Sequence, residues 1–320
     1  MTSSSLLRLL VTRVVLAVVS LLVVSFVIFW CVEMLPGDTA ERMLGRDATP
    51  EALARLRAEL GLDRPGLERY WMWLGATLTG DLGQSLVANR PVVDWVATRA
   101  GNTLTLSAFA LAIYIPLALL LGLLSAAFRG RTLDSAISVA VLLGMCLPEF
   151  VTGLLLVSIF AITFEWFPPL ALIDQANSFG DLLHILFLPA LTLAIAMTAY
   201  AVRMMRDNLI EVLDSQYVRL ATLKGLGRRQ VLMRHALPNA LGPAVNVTAL
   251  NIAWLIGGIV VVETVFNFPG LGRLLIDAIS LKDVPVIQAV ALLLTALYIL
   301  VNLLADIVVI LLNPRLRAGA

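Results

Sequence analysis

What most limits the folds open to this chain is the length of its stretches between charges. Residues 14–32 carry no formal charge after Arg8 and Arg13, and 100–128 carry none between Arg99 and Arg129. Residues 135–164 hold a single charge, Glu149; 182–202 hold none; 239–262 end just before Glu263; 284–305 run to Asp306. About 20 apolar residues cover the ~30 Å hydrocarbon core at 1.5 Å per residue. A lone helix satisfies its own backbone hydrogen bonds in lipid, so six such stretches predict an all-α membrane protein with six transmembrane helices. Composition agrees, with 60% hydrophobic and 14% charged residues against roughly half and a quarter in soluble domains. A net charge of +1 gives no reason to expect nucleic acid as a partner, and two cysteines exclude a disulfide scaffold.

The first stretch reads as a retained span. It ends Phe29-Trp30-Cys31-Val32-Glu33, without the small residues of a signal-peptide cleavage site. Lys and Arg in the short connections set orientation. The N-terminus has Arg8 and Arg13, the 129–134 loop Arg129 and Arg131, and the C-terminus Arg315 and Arg317. Seven of the 23 basic residues lie in the 203–238 loop, whereas 165–183 has none. Both termini are therefore expected in the cytoplasm.

Two connections are long enough to carry function. Segment 33–99 holds ten of the 22 acids; Thr49-Pro50-Glu51 reads as a helix start that Gly61 closes, and Tyr70, Trp71 and Trp73 mark a second short helix. It is either a helical cap on the outer membrane face or a docking surface for an external partner. In the 203–238 loop, two helical pieces meet at Gly225-Leu226-Gly227, and Leu237-Pro238 ends the second. Those pieces could lie flat on anionic lipid or serve as a handle for a soluble motor.

The 203–238 loop resembles the EAA motif of ABC importer permeases. Arg219-Leu220-Ala221 stands at the motif's Glu-Ala-Ala, Gly225 at its glycine, and His235-Ala236-Leu237-Pro238 at its Ile-x-Leu-Pro end. Further segments follow in order: Leu35-Pro36-Gly37-Asp38, Thr49-Pro50-Glu51, Leu60-Gly61-Leu62-Asp63, Gly80-Asp81-Leu82-Gly83-x-Ser85, Phe268-Pro269-Gly270-Leu271-Gly272-Arg273, Asp283-x-Pro285-Val286-Ile287-Gln288 and Asn313-Pro314-Arg315. Together they resemble the dipeptide/oligopeptide/nickel permease family, in its first-permease branch with a long periplasmic segment, over roughly residues 8–317.

The resemblance implies a type I ABC importer permease in a bacterial cytoplasmic membrane, forming half of a translocation pathway. Its implied partners are a second homologous permease, two ATP-binding cassette subunits and an extracytoplasmic substrate-binding protein, besides the lipid bilayer. ATP and Mg belong to the partner subunits, with no cofactor and no metal in this chain. Residues 1–99 are read as a first helix plus periplasmic segment, and 100–320 as a five-helix permease domain. The expected ATPase-coupling residues are Arg219, Ala221, Lys224, Gly225, Leu226, Gly227, Arg234, His235, Leu237 and Pro238. Glu149, Asn251, Glu263 and Asn267 are the expected pathway or substrate-facing residues; an acid inside a span belongs in a bundle interior or a watered cavity, and Glu149 could equally sit at a kink close to water. Di- or oligopeptides are the first cargo reading, with nickel chelate, glutathione or another small solute as alternatives. Intrinsic catalysis fits poorly, because Lys224 and Lys282 both follow leucine and so form no Gly-Lys phosphate loop. The rival of another class is a stand-alone secondary transporter, which would favour internal repeats.

Overall fold

A computed structural model of the chain describes residues 3–34, 40, 44, 49–59 and 61–312. The motifs at 35–38 and 313–315, and Leu60, lie outside these. Among the described residues the structure is helical, apart from an isolated bridge between Gln84 and Pro91. The helices are α1 (Ser3–Glu33), α2 (Pro50–Glu59), α3 (Gly66–Leu78), α4 (Val92–Ala127), α5 (Thr132–Cys146), α6 (Glu149–Leu156), α7 (Phe179–Leu213), α8 (Gln216–Leu223), α9 (Leu237–Val265), α10 (Leu271–Leu281) and α11 (Val284–Leu312).

The six charge-free stretches fall on α1, α4, the α5–α6 pair, α7, α9 and α11. Among the described residues, four of these, in α1, α4, α7 and α11, are long and apolar enough to cross a membrane, and the bent α5–α6 pair makes a fifth if it is one span. The third stretch breaks at Pro148, with a bend of 111° between α5 and the helix that begins at Glu149. Proline lacks the N–H for the helix ladder and drives the preceding residue out of the helical region, and Leu147 is extended at φ −89, ψ 124. Pro116 and Pro189, by contrast, lie inside continuous helices.

The chain divides into two units. The first comprises residues 1–10, 103–269 and 301–320. Its core joins Leu106, Ala110 and Tyr114 of α4, Ile137 and Val141 of α5, Leu186, Leu193 and Met197 of α7, and Leu255, Ile259 and Val262 of α9. Small residues let the backbones approach, as helices in lipid require. A Cβ on Gly122 would stand 2.7 Å from Met205 Cγ, and one on Gly153 would stand 3.2 Å from Phe266 Cε2. The Ala171 amide donates to the Phe266 carbonyl at 2.8 Å, tying the α6–α7 connection to the end of α9.

The second unit comprises residues 11–102 and 270–300. Thr49 Oγ1 accepts from the Ala52 amide at 3.3 Å, so the expected cap does open α2, and Gly61 adopts φ +65 just beyond it. Tyr70 and Leu74 of α3 are buried against Phe29 of α1, with Trp30 and Trp73 alongside. The Gly80–Ser85 and Asp283 motifs meet: the buried Asp283 carboxylate accepts from Ser85 Oγ at 2.5 Å and from the Leu86 amide at 3.2 Å.

Candidate coupling surface and polar nodes

The 203–238 loop is built outward from α7. This helix runs past the apolar core to Leu213, and its far end is held by ion pairs. Asp134, 4% exposed, accepts from Arg206 Nε at 2.8 Å and Nη2 at 2.9 Å, from Ser125 Oγ at 2.5 Å and from the Gly130 amide at 2.9 Å. A second pair joins Arg129 Nη1 to Asp214 at 2.9 Å. Both pairs fasten the end of α7 to the α4–α5 turn. A bidentate guanidinium–carboxylate pair fixes direction as well as distance.

From that anchored end the chain turns at Ser215 and forms α8. Val218 and Ala221 face inward and meet Val231, with Val212, Leu213 and Leu226 around them. The turn after Leu223 is possible because Gly225 takes φ +84, a left-handed conformation that side chains resist. Helix resumes as Arg228–Gln230, widens to a π-turn over Val231–Ala236, and passes into α9. The wide turn stands just before Pro238, whose missing N–H and ring disrupt the ordinary bond to the Arg234 carbonyl. Across the base of this helix–turn–helix, Tyr217 Oη donates to the His235 carbonyl at 3.0 Å. Asn239 Nδ2 donates to the same carbonyl at 2.8 Å and to Tyr217 Oη at 3.0 Å.

The ten expected coupling residues therefore divide by role. Arg219, Lys224, Gly225, Gly227, Arg234 and Pro238 are exposed. Ala221 is buried, and Leu226, His235 and Leu237 are half-buried, so these four hold the loop's shape. Three residues outside the expected set complete the picture. Leu220 and Leu223 are 58% and 83% exposed, an apolar ridge on α8 flanked by Arg219 and Lys224. Tyr217 staples the ends. A signal was available: once Val218 and Ala221 fill the inner face, Tyr217, Leu220 and Leu223 repeat at three-residue intervals on another one.

The four expected pathway residues do not form one cluster. Asn251 is buried and donates to Tyr114 Oη at 2.9 Å and to the Met197 carbonyl at 3.1 Å, joining α9, α4 and α7. Glu263 is fully buried and accepts from Thr103 Oγ1 at 2.6 Å. Asn267 is exposed, in a left-handed conformation with φ 51, where α9 ends. Glu149 is half-buried in the first turn of α6, directly after the break. A carboxylate there is favoured by the unpaired N–H groups of a helix start.

Comparison with known proteins adds the family. Residues 118–318 match the family described as "Binding-protein-dependent transport system inner membrane component", and residues 6–107 match its N-terminal companion. The Brucella abortus (strain 2308) protein named "Putative peptide transport system permease protein" is 38% identical over 309 residues, 97% of this chain and 98% of its own. The glutathione transport system permease protein of Escherichia coli (strain K12) is 36% identical over 298 residues, 93% of this chain and 95% of its own. A solved amino acid ABC transporter with histidines overlays at a TM-score of 0.49 and 16% identity, covering 69% of this chain and 94% of that one. With one family description matching well over half of its length and full-length relatives above 30% identity, the chain belongs to the inner-membrane permease components of binding-protein-dependent transport systems.

Proposed function

We propose that this chain is half of the translocation pathway of an ATP-driven importer, and that it receives the power stroke through α8 and the Gly225–Gly227 turn. It pairs with a second homologous permease, two ATP-binding cassette subunits and an external substrate-binding protein, with both of its termini in the cytoplasm. Catalysis of ATP hydrolysis, with its Mg, belongs to the cassette subunits and not to this chain. The observation that carries the reading is the exposed ridge Leu220–Leu223 between Arg219 and Lys224, on a helix whose other face is locked. An apolar helical ridge of this kind seats in a groove of a partner, and the flanking cations orient it. The ion pairs Arg206–Asp134 and Arg129–Asp214 then make α7 a stiff extension of that ridge, so displacement at α8 passes into the core as rigid-body motion.

Di- or oligopeptide is the cargo we favour, because a relative at 38% identity is named as a peptide permease; the 36% relative named for glutathione keeps that small peptide as the second reading. Substrate-dependent ATPase activity and uptake in proteoliposomes holding the whole assembly test the proposal. Lys224→Glu and Gly225→Val should uncouple hydrolysis from uptake while the chain stays in the membrane. Uptake at the unmodified rate in both variants would refute coupling through this loop. Uptake that proceeds without ATP would move the chain to the secondary transporters.

A further inference from the structure

Helix α3 lies in the segment whose place the sequence leaves open between a cap on the membrane and a platform for an external partner. Its contacts give its depth. Residues 11–33 of α1 form a span of mean hydropathy 2.9 that is almost bare, with 11% of its apolar window buried. Glu33 at its end pairs with Arg69 Nη2 of α3 at 2.5 Å, which marks the polar level. Below that level Trp73 rests on Phe29, with ring centroids 5.8 Å apart. Phe29 is four residues from Glu33, about 6 Å down the helix at 1.5 Å per residue. Tyr70 reaches deeper: its ring meets Phe26 at 5.3 Å and its hydroxyl hydrogen-bonds Ser25 Oγ at 2.9 Å. Ser25 is eight residues from Glu33, about 12 Å down. The α3 helix thus packs against the last two turns of a membrane-crossing helix, not above them.

Its own faces agree with that depth. After Glu68 and Arg69 no charge occurs until Asp81. Gly66, Tyr70, Trp73 and Leu74 face α1, whereas Leu67, Trp71 and Leu78 form a second stripe roughly a quarter turn round the helix at 3.6 residues per turn. That stripe is 55%, 59% and 78% exposed. Arg69 and Ala76 stand across from it, Glu68 stands across from the α1 side, and Met72, 52% exposed, lies between Glu68 and Arg69. A helix with one side on a span, an apolar stripe at right angles to that side and an arginine across from the stripe has the arrangement of one lying in the interface, with its apolar face ~5–10 Å into the headgroup–acyl boundary. Tryptophan is at home at that boundary.

We propose that α3 is an interfacial membrane helix whose Leu67–Trp71–Leu78 stripe is seated on phospholipid acyl chains, in the leaflet at the Glu33 end of α1. The occupant is lipid and not a protein, because α3 packs on the last turns of an almost bare membrane span, at the depth of Phe26 and Phe29. The segment between the first two spans is then held in the membrane surface by Tyr70 and by lipid together.

The test uses the full chain with Cys31→Ser and Cys146→Ser, alone in freeze–thaw-opened vesicles of phosphatidylethanolamine and phosphatidylglycerol. Single cysteines are placed by L67C, W71C and L78C, with D63C and Q84C as water-exposed controls. A membrane-impermeant maleimide should label the two controls quickly and the stripe about tenfold or more slowly, because only the thiolate reacts and it is disfavoured out of water. Nitroxides at the stripe cysteines should collide more often with dissolved oxygen than with a water-soluble nickel chelate, and the controls should show the reverse. Stripe cysteines that label as fast as D63C would overturn the proposal. So would protection that appears only when the binding protein or the second permease is added, which would give the stripe to that protein. Three separate stripe positions guard against one variant that fails to fold.

Discussion

Breaking the Asp134–Arg206 pair should weaken the chain far more than removing the pair entirely. Asp134 is 4% exposed and accepts four hydrogen bonds, two of them from one guanidinium. Asp134→Leu would leave Arg206, whose side chain is 26% exposed, with Asp207 at 3.1 Å as its remaining acid. Stranding one member of a buried pair costs about 3–5 kcal/mol, and the lower figure applies because Arg206 keeps both Asp207 and a path to water. Arg206→Leu strands the more deeply buried carboxylate and should cost at least as much. The double variant removes both charges, and apolar replacement of a buried pair is often close to neutral. The assay is the melting midpoint of the purified chain in detergent, read by the monodisperse fraction after heating. At 2–4 °C per kcal/mol, each single variant should melt roughly 6–12 °C lower, and the double should recover more than half of the summed loss. Single variants within about 1 °C of the parent, or a double equal to the sum of the singles, would refute the claim that this pair fixes the end of α7.

Two further perturbations probe the other anchors. Gly122→Ala should lower the melting midpoint, since the new Cβ would stand 2.7 Å from Met205 Cγ and 2.8 Å from its Cβ; adding Met205→Ala should cost less than the sum of the two single changes. Asp283→Ala should free the turn that follows Gly83, because Ser85 Oγ and the Leu86 and Val87 amides all lose their acceptor; limited proteolysis of intact vesicles should then cut near residues 84–90, where the parent resists.

Which parts of this organisation a sequence can reveal follows from the range of the forces involved. Charge-free length depends on the solvent, so the stretches that became α1, α4, α7 and α11 could be located without knowing any contact. Local chemistry was equally readable: Thr49 does cap α2, and Gly225 does take the left-handed turn. Pro148 announced a bend but not its size, because 111° depends on how α6 lies against α9, where Gly153 admits Phe266. Long-range pairs were invisible. Asp283 and Ser85 appeared only as two motifs 198 residues apart, and nothing local says that one hydrogen-bonds the other. The coupling loop shows the same division. Its glycines and charges were legible, whereas the ridge residues Leu220 and Leu223 stand out only once Val218 and Ala221 are seen to occupy the inner face. Asn251, expected as a pathway residue, has its partners in Tyr114 and the Met197 carbonyl, 137 and 54 residues away, which nothing local announces.

The most direct test of the central claim is disulfide crosslinking in an assembled complex built on the Cys31→Ser, Cys146→Ser chain. One cysteine is placed at Leu223, at the crest of the 83% exposed ridge, and a matching one in the cassette subunit; a second preparation carries the cysteine at Arg131 in the α4–α5 turn. Leu223→Cys should give a permease–ATPase crosslink whose yield changes when ATP is bound, and Arg131→Cys little or none. Absence of any crosslink from Leu223→Cys in a complex that still hydrolyses ATP and transports, or equal yields from both positions, would contradict that claim.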